Sequence, residues 1–326
     1  MRKSNTTMLS RVADSLYWMS RYLERAESTA RLMDVDLQLR LDQSGEAGSE
    51  QWRRLAAAAH IPVGQIEEMD SAALTNALTF DRTNPSSIVS CVSAARENLR
   101  QVREQCSTDM WVQLNRLYLQ INSTTPNDAW LRHSHAFFRA VQDGAHLFQG
   151  VTDSTMAHGE GWHYIQLGRY VERTDAVAML IGTYLSRLPN PEDHAAESEE
   201  YLEWVGLLKS CAAFEAYCKA YTAELRPLRV AEFLLLNPEF PHAVRFSVEM
   251  VHAALRAIGE LTERKADQPV RLSGRLRAAL SFSQIHEILA DGALAYVENI
   301  RAQCSQAHTA IHHIYFDYPV ESAMLA

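Results

Sequence analysis

The sequence lacks most of the features that would assign it quickly. No apolar run approaches the ~20 residues that a membrane-spanning helix needs; Phe233-Leu234-Leu235-Leu236 is far too short. Charges enter the N-terminal stretch too early for the apolar core of a signal peptide. Cysteine is scarce and odd in number, five residues with no Cys-x-x-Cys pair, which argues against a disulfide framework and for a reducing, cytoplasmic setting. A basic surplus is also missing. The formal charge is −9, whereas a nucleic-acid binder needs a basic face to displace counterions. Walker, Rossmann and Gly-x-Ser-x-Gly patterns are absent, so no nucleotide cofactor or serine hydrolase is indicated. Alternating β-branched stretches and Asn-Gly turns are absent too, which excludes a hairpin-based sheet.

What is present is helical periodicity. Apolar residues recur at i, i+3, i+4 and i+7 between a few breaks at 43–50, 83–87, 124–128, 188–198, 237–241 and 268–274. The expected fold is all-α, a multi-helix bundle of roughly ten helices in one domain over 1–326.

An internal repeat adds to this. Arg21-Tyr22-Leu23-Glu24-Arg25-Ala26-Glu27 matches Arg169-Tyr170-Val171-Glu172-Arg173-Thr174-Asp175. Further anchors keep the same order: Trp52 and Leu55 with Trp204 and Leu207, then Pro85 and Ile88 with Pro241 and Val244. The offset grows from 148 to 152 to 156, as small insertions would produce. A duplication is expected, with one copy over about 8–150, a second over about 151–318, and a pseudo-twofold arrangement.

At about 100° per residue, Arg21, Glu24, Arg25 and Ser28 share one narrow arc of their helix. Tyr17 precedes this arc and Leu32 and Val35 follow it on nearly the same line, so both faces of the helix are expected to be covered. A covered charge must be paired. Each motif has two arginines and one glutamate, which leaves a positive surplus. The functional reading is an anion site for a carboxylate, phosphate or acidic peptide, with Arg21, Arg25, Arg169 and Arg173 as donors and Glu24 and Glu172 orienting them. The structural reading is an ion network neutralised by Asp14, Glu27, Glu160 and Asp175.

Before the second copy, Asp153 or Ser154 can cap a helix. Gly159 and Gly161 flank Glu160, and the irregularity they allow makes His158 and Glu160 candidates for acid–base work. Glu160-x-x-His163 and Glu249-x-x-His252 have the spacing of di-iron carboxylate bundles, with Glu24 and Glu172 as further carboxylates. Against a metal site, glycines interrupt the first pair, and Glu172 would share a helix with Glu160. No metal or other cofactor is therefore expected. His308 and His312 lack the Glu of a zinc-protease motif and are expected to line a helix surface or pack against Tyr315 and Phe316.

With these residues in view, the chain resembles the bacterial alpha-E family, an α-helical domain named for its Glu-Arg motif. The segments that carry the resemblance are Ser15–Glu27, Asn84-Pro85-Ser86-Ser87-Ile88, Ala95-Arg96-Glu97-Asn98, Trp111, Leu114-Asn115, His158-Gly159-Glu160-Gly161-Trp162 and Gly168–Arg173. The resemblance implies partners, since members are encoded beside or fused to circularly permuted ATP-grasp proteins and transglutaminase-like thiol peptidases. It thereby implies a place in ATP-dependent amide or peptide-bond formation or peptide processing. This chain carries neither catalytic segment, so that chemistry would come from a partner. The alternatives are a stand-alone enzyme using its carboxylates and histidines, and an assembly protein whose charged motif is structural.

Overall fold

Backbone polar groups that leave water must be satisfied, and among the described residues helices do most of this. The computed structural model describes residues 8–42, 70–124, 128–185, 198–221, 224–262 and 267–316, and all their regular elements are helical. They are α1 (Ser10–Asp42), α2 (Ser71–Thr79), α3 (Ile88–Gln101), α4 (Thr108–Asn122), α5 (Asp128–Thr155), α6 (Glu160–Leu185) and α7 (Ser198–Ser210). There follow α8 (Phe214–Tyr221), α9 (Pro227–Leu236), α10 (Val244–Thr262), α11 (Asp267–Phe282), α12 (Ile285–Asp291) and α13 (Ala293–Ile311). A 3₁₀ turn at Arg103–Gln105 and a π-turn at His312–Phe316 complete the set. No described helix is long and apolar enough to cross a membrane.

These thirteen helices exceed the roughly ten expected, because single residues also end helices. The Ser107 side chain accepts from Met110 N–H and starts α4, while the Ser87 side chain accepts from Ser90 N–H and starts α3. Gln284 and Glu287 cap α12 reciprocally, and Gly292, at φ 103°, separates α12 from α13. Conversely, the break expected at 268–274 is part of α11. Pro269 falls in the first turn, where its missing N–H costs no helical bond. Asp153 and Ser154 close α5 and do not cap α6, which begins at Glu160. The segment 43–50 and the anchors Trp52 and Leu55 lie outside the described residues.

The core is built on the crossing of α1 and α6. Helix α1 packs on α3, α5, α6 and α7, and α6 packs on α1, α10 and α13. Outer pairs match as well: α3 on α4 and α4 on α5, then α10 on α11 and α11 on α13. Every residue of α6 from Tyr164 to Thr174 is buried. A helix covered all round is a core helix, and its charges must find partners in the protein.

The crossing is close enough for backbones to touch. Ser20 Oγ donates to the Ile165 carbonyl at 2.6 Å. Reciprocally, Gly168 faces the Tyr17 carbonyl, and a Cβ there would lie 2.3 Å from that oxygen. The second contact requires glycine for space alone. Gly168→Ala should therefore destabilise the protein by about 2–3 kcal/mol, read as a lower urea midpoint. An unchanged midpoint would mean that the helices can separate at this point without loss.

Candidate functional site

Two guanidinium groups and a carboxylate on each of two crossing core helices present an electrostatic problem. Isolated burial of one charge costs several kcal/mol. The motifs solve it by bonding to each other. Arg21 Nε donates to Glu172 Oε2 at 2.7 Å, and Arg25 Nε donates to Glu172 Oε1 at 2.5 Å. In the other direction, Arg173 donates from Nε and Nη2 to the two oxygens of Glu24, at 2.5 and 3.0 Å. Glu24 and Glu172 are both buried, so these bonds are made where water does not compete. The arginines also hold the starts of the next layer: Arg25 Nη1 donates to Ser86 Oγ and Arg173 Nη1 to the Pro241 carbonyl, each at 3.3 Å.

Titration follows the same logic. Burial alone would raise the Glu172 carboxyl, but Arg21 and then Arg25 override it and hold it below its ordinary value. Burial would lower Arg173, and Glu24 overrides that in turn, so the guanidinium is held firmly charged. Arg169 differs. Its Nη1 donates to Gln166 Oε1 at 3.3 Å, and no carboxylate among the described residues bonds it. Burial pulls its value below that of an ordinary arginine, with Glu24 opposing. Four guanidinium groups thus face two carboxylates. Three of the four acids expected to neutralise the surplus bond elsewhere: Glu27 to Arg31, Glu160 to the Met8 N–H, and Asp175 to Arg301.

Of the six motif residues, Arg21 opens onto a cleft of about 380 Å³, lined also by Asp175, Glu298, Arg301, Ser305 and His308. Arg21 spends Nε on Glu172 and points Nη1 at Tyr17 OH and the His308 ring, at 3.5 and 3.2 Å. Arg301 spends Nε on Asp175 at 2.8 Å. No further hydrogen bond occupies Nη2 of Arg21 or the terminal nitrogens of Arg301 among the described residues. His308 stacks on Tyr17, and its Nδ1 lies 2.8 Å from the Tyr17 hydroxyl. Burial and then the Arg21 charge push His308 down to about 4, so its ring is neutral near pH 7 and Nδ1 can accept the tyrosine proton. His308 thus joins the motif, in contrast to the surface or Tyr315–Phe316 packing expected, whereas His312 does pack on Phe316 at 4.9 Å.

The other candidates sit apart. His158 stacks on Trp162 at 4.2 Å and reaches the Asp153 carbonyl, at the exposed junction of α5 and α6. Glu160 opens α6, about 18 Å along the helix axis from Glu172. Neither reaches the cleft. The carboxylates sketched for a di-iron site are committed as well, Glu24 and Glu172 to arginines, while His252 is bonded to Ser273. No three His, Cys, Asp or Glu side chains form a metal-binding group among the described residues. The sequence reading missed Glu298 and Arg301. Their signal was the 3, 4, 3 spacing Glu298, Arg301, Ser305, His308 on one face of α13, readable only once that face is known to meet α6.

Two outcomes follow from this geometry. Arg173→Met strands a buried Glu24 carboxylate and should cost about 3–5 kcal/mol in urea unfolding, most of it recovered by adding Glu24→Met; a single-variant loss below about 1 kcal/mol would show that the pair does not hold the crossing. For His308, the unfolded chain takes up a proton near 6.5 and the folded chain only near 4, so stability should fall as pH drops through that window. His308→Gln should flatten that part of the pH–stability curve, and an unchanged slope would refute the assignment.

Comparison with known proteins places this architecture. The family Alpha-E, described as "a predicted alpha-helical domain with a conserved ER motif", matches residues 8–316. The chain is similar to the uncharacterized proteins Rv2567 of Mycobacterium tuberculosis and Mb2597 of Mycobacterium bovis, each 25% identical over 329 residues. These alignments cover 93% of this chain and 35% of each relative, so the chain spans about a third of the length of the curated relatives it matches. No solved structure matches it. Its two Glu-Arg segments bond across one helix crossing, and the match runs through nearly all of its length: the chain belongs to the Alpha-E family.

Proposed function

We propose that this chain is a helical partner in an ATP-grasp-linked pathway of amide or peptide-bond formation or peptide modification. In this reading it binds an anionic peptide, amino acid or phosphorylated intermediate beside the duplicated motif. The observation that carries the reading is the cleft of about 380 Å³ where Arg21 and Arg301 keep guanidinium nitrogens with no hydrogen bond among the described residues. Its size is within the range of small-ligand pockets, and the positive surplus of the crossing lies directly behind it. The anion would sit on Arg21 with Arg301. Arg25, Arg173, Glu24 and Glu172 would hold Arg21 in place, and Arg169 would add charge from the far side.

The same reading includes a duplication of one helical unit over about 8–150 and 151–318. It is supported by reciprocal contacts at matching positions, Ser20 with Ile165 against Gly168 with Tyr17, and Cys91 with Pro85 against Ser247 with Pro241. ATP-grasp or transglutaminase-like chemistry would be supplied by a separate protein or domain. The mycobacterial relatives, with about two thirds of their length outside the matched region, accord with such a division. A second reading, an assembly protein with a purely structural motif, is favoured by the cross-bonding of both glutamates. A stand-alone enzyme using His158 and Glu160 would need a ligand at the α5–α6 junction instead.

Arg301→Met separates the first two readings, because Arg301 lies outside the crossing. Calorimetric titration with inorganic phosphate and with a glutamate-rich peptide should show about a tenfold loss of affinity at an unchanged melting temperature. Co-purification of the intact chain with an ATP-grasp protein at low and moderate salt should succeed. Failure of the native chain to bind either anion would leave the structural reading.

A further inference from the structure

The charges of the cleft are ordered along its length. On α13, Arg301 meets Asp175, while His308, two turns later, meets Arg21, whose own partner Glu172 lies one turn before Asp175 on α6. The two helices therefore run antiparallel along the cleft. Glu298, one turn before Arg301, extends the Asp175 end, and Ser305 extends towards Arg21. One end thus carries two carboxylates and the other a guanidinium with a neutral histidine. Arg301 is bonded through Nε to Asp175, so the acidic end holds Asp175, Arg301 and Glu298 and keeps one net negative charge.

A purely anionic ligand filling this cleft would bring its far end against Asp175 and Glu298. A purely cationic one would bring its far end against Arg21, which belongs to the positive surplus of the crossing. Both mismatches cost free energy. We propose that the cleft takes a single zwitterionic ligand, with its carboxylate on Arg21 and Arg301 and its ammonium group on Asp175 and Glu298. This rests on the reading of the cleft as a ligand site.

Helix rise sets the span. Glu172 to Asp175 covers about 5 Å and Glu298 to Ser305 about 10 Å, so the ligand's two charges are about 5–10 Å apart. That distance excludes an α-amino acid bound through its own two charged groups, which share one carbon. It fits the two ends of a short peptide or an ω-amino acid. Ser305 and the second His308 nitrogen supply further polar partners for the carboxylate end.

Titration calorimetry of the full chain with 6-aminohexanoate, hexanoate and hexylamine tests this, since the three share a carbon chain and differ in charge. The zwitterion should bind at least about tenfold more tightly than hexanoate, with hexylamine weakest. Glu298→Gln, at an exposed position, should reduce the preference about threefold, and Asp175→Asn combined with Glu298→Gln should bring the two affinities within about twofold, with circular dichroism confirming the fold. Equal affinities for hexanoate and 6-aminohexanoate in the native chain would overturn the zwitterion and leave the anion cleft standing. Phosphate binding without binding of either carboxylate would do the same. A preference that survives the double variant would overturn the assignment to Asp175 and Glu298. No binding of phosphate, hexanoate or 6-aminohexanoate would sink both readings.

Discussion

The structure depends on two buried glutamates paired across the core crossing, Glu172 with Arg21 and Arg25 and Glu24 with Arg173. Neither α1 nor α6 could bury its charged stripe alone, because an uncompensated guanidinium or carboxylate in the core costs more than the surrounding apolar packing returns. Bringing the stripes together turns two liabilities into four charge-assisted hydrogen bonds of 2.5–3.0 Å. Such bonds demand fixed geometry, and the close approach at Ser20 and Gly168 supplies it. The remaining helices pack around a crossing whose register these contacts dictate.

Charge balance explains why the two sides of the crossing differ. Each motif contributes more positive than negative charge, so mutual bonding cannot neutralise both. On one side Arg169 is enclosed and bonds Gln166, itself held by Asp153. On the other, Arg21 lies under Trp18 and beside Tyr17 and reaches the cleft. The divergence begins with position 17, where tyrosine positions His308, against isoleucine at 165 in the matching place. The two arginines thus have different surroundings, and Arg21 lines the cleft whereas Arg169 does not.

The rest of the candidate site could be read from the sequence to different degrees. The six motif residues were identifiable because charges on a stripe flanked by apolar residues must be buried and paired, and both buried glutamates are. Which acid pairs with which arginine was not identifiable. Glu27 and Asp175 are nearer in sequence to the motif arginines than the opposite glutamates, yet they bond Arg31 and Arg301. The cleft was less visible still. Glu298 and Arg301 are ordinary charges of α13 until its packing against α6 sets them on the lining of the cleft.

By itself the sequence determined the all-α class, the burial of the two Glu-Arg helices and the recurrence of the motif on both. Periodicity, the scarcity of glycine and proline, and the cost of unpaired charge are local constraints that any fold of this chain must obey. Tertiary structure alone decided the cross-pairing, the separation of His158 and Glu160 from the motif, and the opening of Arg21 onto a polarised cleft. Those outcomes depend on how helices far apart in sequence cross, which is set by the shape of whole surfaces and by contacts such as Gly168 on the Tyr17 carbonyl.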